Sequence, residues 1–345
     1  MAIIDKPSDY FNTKLYTGTG STTNITGVGF NPDLVWIKCR SNAVTDNVLF
    51  DRVRGAGQRL VSNDTGAEET QTGIMSAFVT DGVTVGGGDA SNGSSKTYVM
   101  WNWLAGGSAS SNTDGSITSS VSANTTSGFS IVSYTGTGST ATIGHGLGSA
   151  PKMIIVKNRS AVEEWGVYHV SNGNTHVQYL NTTGAKSDDA GFWNDTTPTS
   201  SVFTVGNSTR VNQSGSAMIA YCFAEKQGYS KFGSYTGNGN ADGTFVYTGF
   251  KPAFVMLKKT SGTGNWQMFD DKRVGYNPDN DVLRANLSNT ECTSCVKIDT
   301  LSNGFKLRNT DGDGNTSGGT YIYMSFASEP FTTSTTNGSI PATAR

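Results

Sequence analysis

Three ordered sequence blocks recur three times along this chain, and no other feature constrains its fold as tightly. The first block reads Tyr16-Thr17-Gly18-Thr19-Gly20, Tyr134-Thr135-Gly136-Thr137-Gly138 and Tyr235-Thr236-Gly237-Asn238-Gly239. The second reads Pro32-Asp33-Leu34-Val35-Trp36-Ile37-Lys38, Pro151-Lys152-Met153-Ile154-Ile155-Val156-Lys157 and Pro252-Ala253-Phe254-Val255-Met256-Leu257-Lys258. A glycine stands three residues before each proline (Gly29, Gly148, Gly249), and a serine three after each lysine (Ser41, Ser160, Ser261). The third block closes each copy as Tyr98-Val99-Met100-Trp101-Asn102-Trp103, Met218-Ile219-Ala220-Tyr221-Cys222-Phe223 and Tyr321-Ile322-Tyr323-Met324-Ser325-Phe326. The first and second copies are offset by 118–120 residues, the second and third by 101–103. Periods of that size are whole tandem domains, since solenoid units span roughly 20–50 residues.

The second and third blocks read as extended chain. The proline-led block is a continuous apolar run, which fits a strand buried on both faces or at a sandwich core. Proline at its first position is where a strand tolerates a missing donor. The closing block is aromatic and β-branched, again a strand. Further short strands are expected at 48–50, 165–170, 203–205, 266–269 and 304–307. Gly is 43 of 345 residues and charged residues are 15%, with Ser, Thr and Asn abundant. That composition opposes a helical bundle and favours short strands joined by polar turns. The expectation is an all-β chain of three tandem homologous antiparallel β-sandwich domains with almost no helix.

The boundaries follow from the blocks. Module one spans 1–105, module two 128–226 and module three 227–331. Residues 106–127 form a Gly/Ser/Thr-rich stretch that reads as a linker or, through Ile117 and Val121, as an added edge strand. Only Glu225-Lys226-Gln227-Gly228 separate modules two and three. Those two are expected to form a rigid pair, with module one freer. Residues 332–345 lack core-forming side chains and read as disordered or as an arm that orders on a partner.

Several function classes fall away. No apolar run approaches the roughly 18 residues of a membrane-spanning helix, so no membrane insertion is expected. The first residues carry no basic stretch followed by an apolar one, so no secretory signal is expected. A net charge of -2 and the lack of a Lys/Arg cluster give no footprint for nucleic acid. The repeated Gly-x-Gly lacks the third glycine and Lys-Ser/Thr of a phosphate loop, and reads as a hairpin turn.

Candidate sites are few. Cys292-Thr293-Ser294-Cys295 offers two of the four ligands of a structural zinc. Without a secretory signal, all four cysteines are expected as free thiols, Cys39 and Cys222 as buried small hydrophobes. The histidines His145, His169 and His176 have no counterparts in the other modules. Glu163-Glu164 is the one carboxylate cluster that suits sugar chemistry, and a solvated loop explains it better, since neighbours on a strand face opposite ways. Asp311-Gly312-Asp313-Gly314-Asn315 alternates oxygen ligands as a calcium loop does, with Asp311, Asp313 and Asn315 as ligands. An EF-hand would close with Glu where Ile322 stands, and the stretch also reads as a turn. No other cofactor and no catalytic residue is expected. Asp51-Arg52-Val53-Arg54 resembles Asp270-Asp271-Lys272-Arg273, read as a surface ion pair or an inter-module contact.

The Y-T-G-T-G block, the G-x-x-P run ending in Lys-x-x-Ser and the closing aromatic block resemble a repeated domain of tailed-bacteriophage virion structural proteins. That family is common in marine and cyanobacterial phages and is usually described as tail fibre proteins. The stretches YVMWNWLAGG, GSYTGNGNADGTFVYTGFKPAFVMLKK and TYIYMSFASEPF carry the resemblance most specifically, and it covers nearly the whole chain. It implies a virion location after synthesis in the host cytoplasm, and no enzyme activity. The expected role is a non-enzymatic tail fibre, appendage or adapter in host contact. The alternatives are a capsid decoration or cement protein and, third, a polysaccharide-degrading virion enzyme. The expected partners are other virion proteins, further copies of this chain in a homo-oligomer or multi-copy assembly, and a host surface glycan or protein.

Overall fold

The computed structural model describes residues 3–273, 277–278 and 281–331. Residues 332–345, read above as an arm or a disordered stretch, lie outside them. The chain is all-β: among the described residues helix is confined to single turns, such as Ala190–Trp193, Thr209–Asn212 and Gly312–Asn315.

Each module folds into one large antiparallel sheet and one small sheet facing it. The closing strand (Thr97–Trp103, Ala217–Phe223, Thr320–Pro330) runs inside the large sheet. On one side it pairs with the opening strand that leads to the glycine block (Phe11–Thr17, Phe129–Thr135, Ser230–Thr236). On the other it pairs with the lysine strand (Leu34–Cys39, Met153–Asn158, Phe250–Lys259). Beyond that lies a fourth strand (Val48–Asp51, Gly166–His169, Gln267–Asp270). The small sheet begins with an outer strand (Thr23–Thr26, Ala141–Gly144, Phe245–Tyr247) paired with Gly82–Val85, Val202–Val205 or Gly304–Leu307.

The lysine strand is apolar throughout because both of its faces are covered. Alternate side chains on a strand point to opposite faces. Val35, Ile37 and Cys39 point into module one's own sandwich core, with Ile25, Val83 and Val85 of the small sheet. Leu34 and Trp36 point the other way, into a second core. Ile154 and Val156 divide from Met153 and Ile155 in the same manner, as do Val255 and Leu257 from Phe254 and Met256.

That second core belongs to all three modules together. It contains Trp101 and Trp103 from module one, Trp165 and Tyr221 from module two, and Trp266 and Phe326 from module three. At its centre stand Trp103, Phe223 and Phe326, which hold the same position in the three closing blocks. Their ring centroids are 6.4, 5.7 and 6.0 Å apart for Trp103–Phe223, Trp103–Phe326 and Phe223–Phe326. Every pair falls within the range of aromatic contact. Module one is therefore as firmly held as the other two, against the expectation that it is freer. That expectation read cohesion from linker length, whereas the contact lies between sheet faces far from the linkers.

Three local readings are settled as well. Residues 106–127 form edge strands on module two: Ser110–Asn112 pairs with Ser119–Asn124, which pairs with the opening strand, Val121 facing Val132. The glycine block is a turn but not a hairpin, because it carries the chain from the large sheet to the small one. Cys292 and Cys295 are joined by a disulfide across Cα atoms 5.8 Å apart, which corrects the expectation of free thiols for that pair. Their spacing permits closure, and the expectation had rested on compartment alone. Cys39 and Cys222 are buried free thiols.

A shared core predicts joint unfolding. Trp103 is 1% exposed, and Trp103→Ala should cost about 3–5 kcal/mol. Chemical denaturation followed by far-UV and near-UV circular dichroism should show one coincident transition, shifted as a whole in the variant. Two separated transitions in the unaltered protein would contradict a common core.

Candidate functional site

The repeated residues of the blocks have structural tasks. The block tyrosine donates its hydroxyl to a backbone carbonyl in the loop ahead of the closing strand: Tyr16 to Ser91, Tyr134 to Val211 and Tyr235 to Gly314. The first glycine lies so close to that loop that a Cβ on Gly18, Gly136 or Gly237 would sit 2.2–2.4 Å from a carbonyl oxygen. The second glycine, Gly20, Gly138 or Gly239, has φ near +70° (71°, 75°, 65°), a conformation that glycine adopts without strain. The loop itself presents an asparagine, Asn92, Asn212 or Asn315. Its side-chain oxygen accepts from the backbone N–H of Thr19, Thr137 or Asn238 between the two glycines, at 2.8–3.0 Å. This asparagine stands six residues before each closing block, a constant spacing that could have revealed it. The repeated serine caps the closing strand: the Oγ atoms of Ser41, Ser160 and Ser261 accept from the N–H of Thr97, Ala217 and Thr320.

The three candidate calcium ligands fall on one turn but are engaged with the protein. Asp311 caps the helical turn Gly312–Asn315 and accepts from the Asp313 N–H. Asp313 Oδ2 accepts from Asn265 and Gln267 at 2.8 and 2.7 Å. Asn315 is the third copy of the turn-clamping asparagine and also donates to the carbonyls of Asn240 and Asn309. Its counterparts Asn92 and Asn212 do the same work with no Asp-x-Asp before them. Among the described residues no group of three His, Cys, Asp or Glu side chains gathers as a metal site would require.

The repeated lysines tie the modules together in a cycle. Lys38 Nζ donates to the Ser288 carbonyl of module three, Lys157 to Thr65 of module one, and Lys258 to Thr183 and Gly184 of module two. The contacts measure 2.7–3.0 Å, and each lysine also reaches carbonyls of its own module. Burial lowers each ammonium to a pKa of about 8. The residue that opens the fourth strand repeats the cycle: Trp165 Nε1 donates to Val61, Trp266 Nε1 to Tyr179, and Asn47 to Arg284 and Ala285.

The Asp-Arg pairs shared by modules one and three are buried inter-module contacts. Asp51 accepts from Arg54 and from the Tyr221 hydroxyl of module two at 2.8 Å. Arg54 reaches Glu68, which also takes Arg159 of module two. The other junction repeats this: Asp270 accepts from Arg273 and from Trp101 Nε1 of module one, and Glu291 bridges Arg273 and Arg40. Burial opposes the Arg54 charge, but Asp51, Tyr221 and Glu68 outweigh it and raise its pKa. At the third junction the counterpart of Asp51 is His169. Its Nδ1 accepts from the Ser171 N–H and its Nε2 donates to the Tyr323 carbonyl of module three at 3.1 Å. Burial drives its pKa down to about 4, and the ring is held neutral.

Outside this framework lie one carboxylate pair and several openings. Glu163 and Glu164 lie on a loop, as expected, and there both approach Arg210, at 3.8 and 2.5 Å. His145 is buried, with Nδ1 accepting from Leu147. A cleft of about 660 Å³ lies where modules two and three join, lined by Glu225, Lys231, Tyr247, Gly249 and Phe331 among others. Among the described residues its one carboxylate, Glu225, is held by Lys231 at 2.7 Å and by the Phe232 N–H. A paired general acid and base on a sugar needs two. A shallower opening of about 350 Å³ lies beside Asp33 and Arg52, themselves ion-paired at 2.7 Å. Beside the first cleft, Phe245 and Tyr247 are 44% and 58% exposed on the outer strand of module three.

Two outcomes follow for stability. Arg54→Ala strands the Asp51 and Glu68 carboxylates in a buried junction and should cost about 3–5 kcal/mol by urea denaturation; calcium or a chelator should leave the melting temperature of the unaltered protein unchanged, and a shift on chelation would restore calcium to the Asp311 turn. The pH dependence has a definite sign. An unfolded histidine protonates near pH 6.5 and His169 near 4, so the unfolded state binds more protons between these values. The His169 contribution is complete above pH 6.5 and is lost as pH falls towards 4, up to roughly 3 kcal/mol. Melting temperatures from pH 7 to 4 should fall less steeply in His169→Gln, which keeps a donor for Tyr323.

No curated protein and no solved structure matches the chain. A family profile does, over residues 6–330, which spans the three modules and their cyclic junctions as one unit. By that match the chain belongs to the family described as Domain of unknown function (DUF7483).

Proposed function

We propose that this protein is a non-enzymatic structural component of a tailed-phage virion, a tail appendage or adapter that takes part in host contact. The observation that carries this reading is the cyclic closure of three homologous modules on one aromatic core. Lys38, Lys157 and Lys258 each bind the neighbouring module in the same sense, so one chain reproduces the contacts of a trimer. Such a body suits a threefold position in a symmetric assembly. The repeated residues serve the scaffold, which supports a mechanical rather than a chemical role. The resemblance of the three blocks to phage tail proteins supports the tail, and the Thr-, Ser- and Asn-rich loops suit contact with a host glycan or protein.

The same closure favours a second reading, a decoration protein seated at a threefold point of the capsid lattice. Copy number distinguishes the two. Quantitative mass spectrometry of purified particles should find this chain scarce relative to the major capsid protein, with cryo-EM density at the tail. Abundance near that of the capsid protein, with density over the lattice, would replace the tail reading by decoration. Absence from the particle would overturn both. Turnover of host capsule by the purified protein would establish the polysaccharide-degrading alternative instead.

A further inference from the structure

Part of the pattern of residues 111–117 recurs, in sequence, beyond the last strand. Trp103 and Phe326 hold the same place in their modules. Fourteen residues after Trp103 comes Ile117 in Asp114-Gly115-Ser116-Ile117; fourteen after Phe326 comes Ile340 in Asn337-Gly338-Ser339-Ile340. Ser111 and Thr113 match Ser334 and Thr336 in the same ungapped register.

The first copy has a visible task. Ile117 forms a parallel bridge with Ile143 on the outer strand of module two, its N–H donating to the Thr142 carbonyl at 3.0 Å. Ser116 N–H donates to Thr142 Oγ1 at 2.8 Å, and Asn112 lies directly over Gly144. Ile117 is thereby 8% exposed and completes that module's core. In module three the counterparts of Thr142, Ile143 and Gly144 are Phe245, Val246 and Tyr247. This strand ends its sheet, pairing on one side only, with Gly304–Leu307. No inserted stretch precedes module three, and Phe245 and Tyr247 are exposed at the two positions that the insertion covers in module two. In module one the same positions are the polar Asn24 and Thr26.

The chain is also delivered to this edge. The closing strand of module three runs on to Pro330, opposite Phe250. The Phe331 N–H then donates to the Gly249 carbonyl at 3.3 Å, and Phe331 shares the cleft with Tyr247. From Phe331 to Gly338 an extended chain reaches about 23 Å, while the return from Gly249 to Phe245 needs about 13 Å.

We propose that residues 332–345 dock on module three of their own chain. Asn337–Ile340 adds to the open edge of Phe245–Tyr247, and Ile340 seats against Val246 as Ile117 does against Ile143. Strand addition satisfies the edge and covers the two aromatic rings.

Hydrogen exchange read by mass spectrometry on the full chain tests this. The amides of 338–340 should be protected in the unaltered protein, and a peptide spanning 243–248 should exchange about tenfold faster in Ile340→Asp than in the unaltered protein or Ile340→Val. The rates should not change with protein concentration. Free-chain exchange throughout 332–345, or equal rates for 243–248 in all three proteins, would overturn the proposal. Protection that appears only as concentration rises would assign the edge to a second copy and overturn it equally.

Discussion

The contact on which this structure depends is the triangle of Trp103, Phe223 and Phe326. Three sheets can share a core only if each offers an apolar outer face as well as an apolar inner one, and the closing strands meet where those outer faces converge. The aromatic residues suit that place because large flat rings fill a threefold junction with edge-to-face and tilted contacts at about 6 Å. The continuous apolar lysine strands follow from it, since each serves two cores at once. Without the triangle, three sandwiches would each expose a hydrophobic sheet face to water.

Polar contacts give this apolar junction its orientation. A hydrophobic face slides easily, whereas a buried lysine held by carbonyls of two modules allows one placement. Each module uses its lysine in the same direction round the cycle. Beyond the lysines and the residues that precede the fourth strands, one junction differs from the other two. Two are closed by Asp-Arg-Glu-Arg chains that reach across to Tyr221 or Trp101; the third is neutral, with His169 on a backbone carbonyl. The third partner explains the exchange. Where the closing strand offers Met324 in place of Tyr221 or Trp101, it has no side-chain donor for a carboxylate, and a histidine that donates to the main chain replaces the aspartate.

Much of the architecture was legible in the repeats. The strands, their burial and the serine and glycine positions follow from patterns that local chemistry imposes. The shared core was not legible, because a run such as Leu34–Ile37 looks the same whether its second face meets its own module or a neighbour. The asparagine clamp lay in plain view at a fixed spacing, yet Asn315 was drawn into a calcium reading by Asp311 and Asp313, which only the third module carries. The Asp51 and Asp270 pairs showed their equivalence in sequence but not their burial. The Cys292–Cys295 bridge depends on the geometry of its turn, which composition does not report.

Covalent fusion changes what the aromatic triangle has to withstand. Three separate subunits meeting at such a junction would be held by mass action and would part on dilution. Joined through residues 106–127 and 225–228, each module meets the others at a fixed local concentration of the order of millimolar, whatever the number of chains in solution. A single copy, alone at one position on a large assembly, would keep its threefold form. Within one chain each third also has its own side chains at its junction, and His169 stands where the other two carry aspartate.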